Sequence, residues 1–149
     1  MNTNNLITEV FTDIETGQFD KAKDLLSENF KSVVLGQEVN RPIYLSVYRS
    51  LLKGIPDLRF DIQHVKQEGG KVSAQLKVSG TNSHSIPALM RGWHEIPATN
   101  NKVDGLIMYL EISLKGDKIA EIKNAKNARG MFTSLLETLG IDYKKAQEN

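Results

Sequence analysis

The spacing of hydrophobic residues changes near residue 58, and this change limits the folds open to the chain more than any other feature. Before residue 58, apolar residues recur every three or four positions, as on one side of helices. After it they alternate with polar residues, as on strands that bury one face. Helices followed by a run of neighbouring strands indicate an α+β fold rather than repeated β–α–β units.

Periodicity predicts three helices in the first half of the chain and one at its end. The first carries an apolar stripe from Leu6 to Ile14, and the second includes Phe19 to Leu26. The third begins at Arg41-Pro42, since proline is tolerated in a first helical turn, and ends at Ile55-Pro56-Asp57. A short strand is expected at 32–35, and the last helix carries Met131 to Leu139.

Alternation predicts an antiparallel sheet in the second half. The expected strands are 58–63, 72–79, 106–114 and 118–125, with a hairpin turn at Gly69-Gly70. The segment 81–103 has no period, and long irregular segments of this kind are often functional. Because each strand has one apolar face, we expect the sheet to curve over the helices and to enclose a pocket for a small molecule.

Composition excludes several kinds of site. The 149 residues suit one domain, expected to span residues 1–149, and a net charge of +1 argues against nucleic-acid binding. No cysteine is present, and the three histidines have no neighbouring carboxylate cluster, so neither a metal site nor a cofactor motif is predicted. Without a membrane-length apolar run or a signal-peptide pattern, we expect a cytoplasmic protein that does not contact membranes.

Five segments resemble, in order, motifs of the SnoaL-like polyketide cyclase family. They are IPDLRF at 55–60, GGKV at 69–72 followed by GT at 80–81, IPAT at 96–99, GDKIAE at 116–121 and LETLG at 136–140. The resemblance implies the cone-shaped fold of nuclear transport factor 2-like (cystatin-like) domains, in which a curved antiparallel sheet packs on N-terminal helices. It also implies a deep pocket and a homodimer formed through the sheet. The family reaction closes a ring by an intramolecular aldol step, without metal or organic cofactor.

The chain departs from the family at its catalytic acid/base. The family motif is "E.W…D..G.L"; with Glu121 and Gly130 aligned to it, Lys123 stands in place of the Trp and Asn127 in place of the catalytic Asp. Asn82 replaces the His of the family's "GTH". A carboxamide cannot accept a proton as a general base, although it can hydrogen-bond a carbonyl or an enolate. We therefore expect polyketide cyclisation by the family mechanism to be absent.

The three histidines are the candidates for a replacement base. His64 follows an apolar strand face and is predicted either to point into the pocket or to be turned outward by a bulge before Val65. His84 and His94 lie in the irregular segment, where they either rim the pocket or are solvated.

Aromatic residues complete the predicted pocket. Tyr48 lies one turn from Tyr44 on the third helix and either lines the pocket or packs in the core. Trp93 is a candidate lid over a ligand, or a dimer contact. The predicted pocket residues are Tyr48, His64, Asn82, His84, Trp93 and Asn127.

Three functions remain open from the sequence. The first is a protein that binds a small, largely apolar molecule. The second is a cofactor-independent cyclase, isomerase or hydrolase that acts on a carbonyl or cyclic substrate with a histidine base, which a pH–rate profile would reveal. The third is a dimeric interaction module whose interior is filled by its own side chains.

Overall fold

The computed structural model describes residues 2–125 and 130–147, which form five helices and a six-stranded sheet. The helices are α1 (Thr3–Glu15), α2 (Phe19–Leu25), α3 (Arg41–Gly54), α4 (Met131–Thr138) and α5 (Tyr143–Gln147). The strands are β1 (Leu26–Val34), β2 (Gln37–Asn40), β3 (Arg59–Glu68), β4 (Lys71–Thr81), β5 (Lys102–Lys115) and β6 (Lys118–Asn124).

The two long N-terminal helices begin at asparagine caps. The Asn2 side chain accepts a hydrogen bond from the backbone N–H of Asn5 at 2.8 Å, and that of Asn40 accepts one from Ile43 at 3.2 Å. Each helix buries its apolar stripe, α1 partly against β3 and α3 partly against β1. The predicted helices, including the proline in the first turn of α3, are confirmed.

The α+β class is confirmed, but the sheet is mixed rather than wholly antiparallel. Its strand order is β2-β1-β6-β5-β4-β3, and β1 pairs parallel with β6 while all other neighbours are antiparallel. Strand β1 is nine residues long, whereas the sequence pattern predicted only a short strand at 32–35 and assigned the first residue of β1, Leu26, to a helix. The short edge strand β2 was not predicted.

The concave face of the sheet is buried beneath the helices. On β5 this face carries Met108, Leu110 and Ile112, while Ile107 and Tyr109 lie on the opposite face and are exposed. Helix α4 packs on β5 from the concave side and buries Met131, Phe132, Leu135 and Leu136. Among the described residues, no helix is long and apolar enough to cross a membrane.

Candidate functional site

Two tyrosines occupy the centre of the cone. Tyr44 and Tyr48 lie one turn apart on α3 and are completely or almost completely buried. Their hydroxyl oxygens are 3.0 Å apart, and the Tyr48 hydroxyl donates to the Met131 sulfur at 3.9 Å. Because a tyrosine hydroxyl has one hydrogen, Tyr44 donates to Tyr48 in this arrangement. The chain of hydrogen bonds therefore ends on a thioether, which is a weak acceptor.

Aromatic rings surround this pair. The Phe132 ring centroid lies 5.3 Å from that of Tyr48 and 6.3 Å from that of Tyr44. Phe60 meets Tyr48 edge-on at 5.7 Å, and Phe30 lies 5.0 Å from Tyr44. Edge-on and tilted contacts at these distances are favourable for aromatic rings. The middle of the cone is therefore filled by rings from α3, α4, β1 and β3.

Burial raises the pKa of both tyrosine hydroxyls well above the ordinary value. For Tyr44 the largest cause is desolvation. For Tyr48 desolvation is again the largest cause, and the neighbouring Tyr44 raises the pKa further. Both hydroxyls thus stay protonated at physiological pH, so they act as neutral hydrogen-bonding groups and not as bases.

A small void adjoins Tyr44. This interior void has a volume of about 20 Å³, room for one water molecule, and it is only partly closed, because the exposed Val33 and Lys123 contribute to its lining. Its lining residues are Ser32, Val33, Tyr44, Leu110, Ile122, Lys123, Asn124, Met131 and Phe132. Among these described residues there is no carboxylate and no imidazole. Asn124 is engaged, because its side-chain oxygen accepts from the Met131 backbone N–H at 3.1 Å.

His64 lies outside the cone. Its φ is +53°, and the pairing of β3 with β4 shifts between Gln63 and Lys66, which marks a bulge. A bulge interrupts the regular alternation of side chains between the two faces of a strand. The His64 side chain is therefore exposed and does not share the apolar face of the preceding residues of β3. Of the two predicted positions of His64, the structure shows the outward one.

Asn82 organises the irregular segment instead of lining the interior. It is fully buried, and its side-chain oxygen accepts from the backbone N–H and the hydroxyl of Thr99 at 2.9 and 3.0 Å. Its amide nitrogen donates to the carbonyls of His84 at 2.8 Å and Gly54 at 3.3 Å. All its hydrogen-bonding capacity is used within the protein. The His84 ring is exposed, and among residues 2–125 and 130–147 its one hydrogen-bond partner is the neighbouring Ser83 hydroxyl.

The structure does not gather the remaining predicted residues around the tyrosines. Trp93 is half-buried, and its backbone N–H donates to the Met90 carbonyl at 3.0 Å. The His94 side chain is exposed. Asn127 lies outside the described residues. Within residues 2–125 and 130–147, no three histidine or acidic side chains lie close enough to hold a metal ion.

Sequence reasoning missed the contribution of α4 to the interior. Met131 and Phe132 matched the apolar pattern of a C-terminal helix, which does not reveal the surface on which a helix packs. Ser32 was also missed, although its hydroxyl is buried and donates to the Ile122 carbonyl at 2.5 Å. The sequence did contain a signal for Ser32, because it alternates with Phe30 and Val34 and therefore shares their buried face of β1.

Comparison with known proteins identifies the family. The model of the SnoaL-like polyketide cyclase family matches residues 5–135. TsrD from Streptomyces laurentii superposes with a TM-score of 0.70 at 15% identity, covering 94% of this chain and 98% of TsrD. A SnoaL-like polyketide cyclase from Agrobacterium tumefaciens gives 0.65 at 17% identity, with 84% and 91% covered. An NTF2-like protein from Cytophaga hutchinsonii gives 0.57 at 15%, with 84% and 89% covered.

None of the curated proteins matches the chain. Because the solved structures are less than 20% identical to this chain, they support its fold alone. That fold agrees with the six-stranded sheet packed on helices described for this protein. The family match is stronger evidence because it extends over most of the sequence. The chain belongs to the SnoaL-like polyketide cyclase family.

Proposed function

We propose that this protein binds a small, largely apolar molecule inside the cone and does not close polyketide rings by the family mechanism. The observation that carries the proposal is the chemistry of the described interior, where two neutral tyrosine hydroxyls lie among aromatic rings. An aldol step needs a base that removes a proton next to a carbonyl. The tyrosines retain their protons, and the carboxamide of Asn127 has no basic site.

The interior void beside Tyr44 is the proposed binding position. A ligand larger than one water requires the side chains that bound the void to move, and Met131 is the one best suited to this. Methionine is unbranched and adapts to irregular spaces at low cost. Movement of Met131 also frees the Tyr48 hydroxyl from a weak acceptor, so a polar atom of the ligand is able to replace the sulfur.

Native mass spectrometry of gently purified protein tests this proposal. We expect an additional mass of one small organic molecule on the wild type. Phe132→Trp enlarges a ring that lines the void, so the mass should be lost. Phe19→Trp is the matched control, because Phe19 is half-buried against Arg49 and does not line the void. A folded wild type without bound mass, or retention of the mass in Phe132→Trp, would contradict interior binding.

Restoring the family's aspartate at position 127 tests whether its absence is the reason why the family reaction is lost. In Asn127→Asp we expect the α-protons of acetophenone to exchange into D₂O faster than with the wild type, by about 100-fold or more, because general bases contribute factors of this size. Proton NMR follows the exchange. Asn29→Asp is the control, since Asn29 is exposed on β1 and does not line the void. Equal exchange by the wild type and Asn127→Asp would contradict the assignment of position 127 as the missing base.

A second proposal concerns self-association through the sheet. The outer face is defined by Val33, Ile107, Tyr109, Glu111 and Lys123, which the strand register places on one side of β1, β5 and β6. Tyr109 is 51% exposed, Val33 49% and Ile107 43%. Large apolar side chains clustered on an open sheet face favour a protein partner. We propose that this face joins two copies of the chain.

Charge on this face should separate the two copies. We expect Tyr109→Lys to convert a dimer into a monomer in sedimentation velocity, because the two-fold contact would bring the new charges together and bury them. Ile43→Lys is the matched control, since Ile43 is 43% exposed but lies on α3. A wild type that sediments as a monomer, or a Tyr109→Lys variant that stays dimeric, would contradict the proposal.

A further inference from the structure

A second cavity lies outside the cone, between the irregular segment and the C-terminal helices. This cleft is lined by residues 94–99 on one wall and by residues 140–142 with Lys145 and Ala146 on the other. Its volume is about 330 Å³, which is within the range of small-molecule sites. The floor includes Ile96, Ile141 and Ala146, all buried, and Pro97 and Ala98 extend the apolar surface.

Backbone and side-chain hydrogen bonds connect the two walls of the cleft. The His94 backbone N–H donates to the Ala146 carbonyl at 2.7 Å, and the Asn101 side chain donates to the Leu139 carbonyl at 2.9 Å. The first wall is further fixed by the pair of bonds between Ile86 and Ile96, each 2.8 Å long. These bonds fix the position of one wall relative to the other. A ligand therefore finds a preformed site.

The rim carries charged groups that the described part of the chain leaves unused. The side chains of His94, Glu95 and Lys145 have no hydrogen bond or ion pair among the described residues, and all three are exposed. Asp142 accepts a hydrogen bond from the backbone N–H of Lys144 at 3.2 Å. With His94 neutral, the rim therefore has two carboxylates and one ammonium group, an excess of one negative charge.

We propose that the cleft binds a small organic cation, an ammonium group attached to one or two apolar rings. The rings would lie on Ile96 and Ile141, and the ammonium group would be held at the rim by Glu95. A ligand carboxylate would meet two carboxylates and one ammonium group, and is disfavoured. This site is independent of the interior void, because no residue lines both.

Methyl NMR of the full chain, titrated with 2-phenylethylamine, 2-phenylethanol and phenylacetate, tests the inference. We expect 2-phenylethylamine to shift the methyl signals of Ile96 and Ile141 while Ile122, which lines the interior void, is unaffected. It should bind about threefold more tightly than the neutral alcohol, as for exposed charge pairs, and phenylacetate should bind least. The preference for the amine should shrink at high salt.

Two substitutions assign the effect to the cleft. Glu95→Gln should bring the affinity for the amine close to that for the alcohol, whereas Glu38→Gln, on the edge strand β2, should leave the difference unchanged. Ala98→Leu fills the cleft and should weaken binding of all three probes. Shifts at Ile122 instead of Ile96 and Ile141, phenylacetate binding as tightly as the amine, or binding that survives Ala98→Leu would each overturn the proposal.

Discussion

Replacing Phe132 with alanine is expected to lower the free energy of unfolding by about 3–5 kcal/mol, the range for large buried aromatic residues. Phe132 is 5% exposed and contacts both central tyrosines. Its removal leaves an apolar space beside Tyr44 and Tyr48 that their neighbours fill only in part. Equilibrium unfolding in urea, followed by far-UV circular dichroism, measures the loss.

The enlarged space also has a ligand-binding consequence. Engineered apolar cavities stay dry and bind benzene-sized molecules, so toluene should raise the Tm of Phe132→Ala by more than that of the wild type. Phe19→Ala is the control: Phe19 is only half-buried, and its loss should cost less than half as much, with no larger effect of toluene than in the wild type. A Phe132→Ala variant within 1 kcal/mol of the wild type (about one-third of the lowest expected loss) would show that α4 is not part of the core.

Replacing Asp13 with asparagine is expected to stabilise the protein at neutral pH. Asp13 lies on α1, is 2% exposed, and one of its carboxylate oxygens has no hydrogen-bond partner among the described residues. Desolvation, with smaller contributions from the hydrogen bond and the charge of Glu9, raises the pKa of Asp13 from 3.8 to about 6, and Lys21 opposes this only in part. The folded protein therefore carries an ionised carboxylate in an unfavourable place above pH 6.

The direction of the pH dependence follows from proton binding. Between pH 3.8 and about 6 the folded state holds more protons on Asp13 than the unfolded state, so stability falls as the pH rises. The stabilisation present in acid is lost above pH 6. A rise of about two in the pKa of Asp13 lowers the free energy of unfolding at neutral pH by up to ~3 kcal/mol relative to acid.

Urea unfolding of wild type and Asp13→Asn at pH 4, 6 and 8 measures this term. The two proteins should be similar at pH 4, and the variant should be more stable at pH 8. Asp24→Asn, on the exposed side of α2, should follow the wild type at each pH. A constant difference between wild type and Asp13→Asn across this range would show that the carboxylate is not the cause.

The sequence predicted the elements of this fold better than their arrangement. Helical stripes and strand alternation depend on local burial, so α1, α3 and the strands β3 to β6 were recognisable without structure. The pairing of β1 with β6 was not, because it joins residues about 90 positions apart and has no local signature. The five-residue helix α5 and the four-residue strand β2 are too short to show a period.

The candidate site was less predictable than the fold. Tyr48 is buried, as expected from its place on the apolar stripe of a long helix, but the sequence did not decide between pocket lining and core packing. For His64 the sequence left open an inward position and an outward turn by a bulge, because a regular alternation of residues does not reveal a positive φ at histidine. Asn82 was predicted as a pocket residue because of its position in a family motif. Its buried amide instead makes all its hydrogen bonds to backbone carbonyls and to Thr99.

The parallel pairing of β1 with β6 has a consequence for synthesis and folding. Strand β1 is made about 90 residues before β6, its partner on the inner side of the sheet. Closing a loop of about 90 residues costs on the order of 4 kcal/mol of chain entropy before any strand contact is gained. The nascent chain therefore exposes the unpaired edge of β1 until β6 has been made, and an unpaired edge is a site for aggregation. A chaperone that covers this edge during that interval should increase the yield of folded protein.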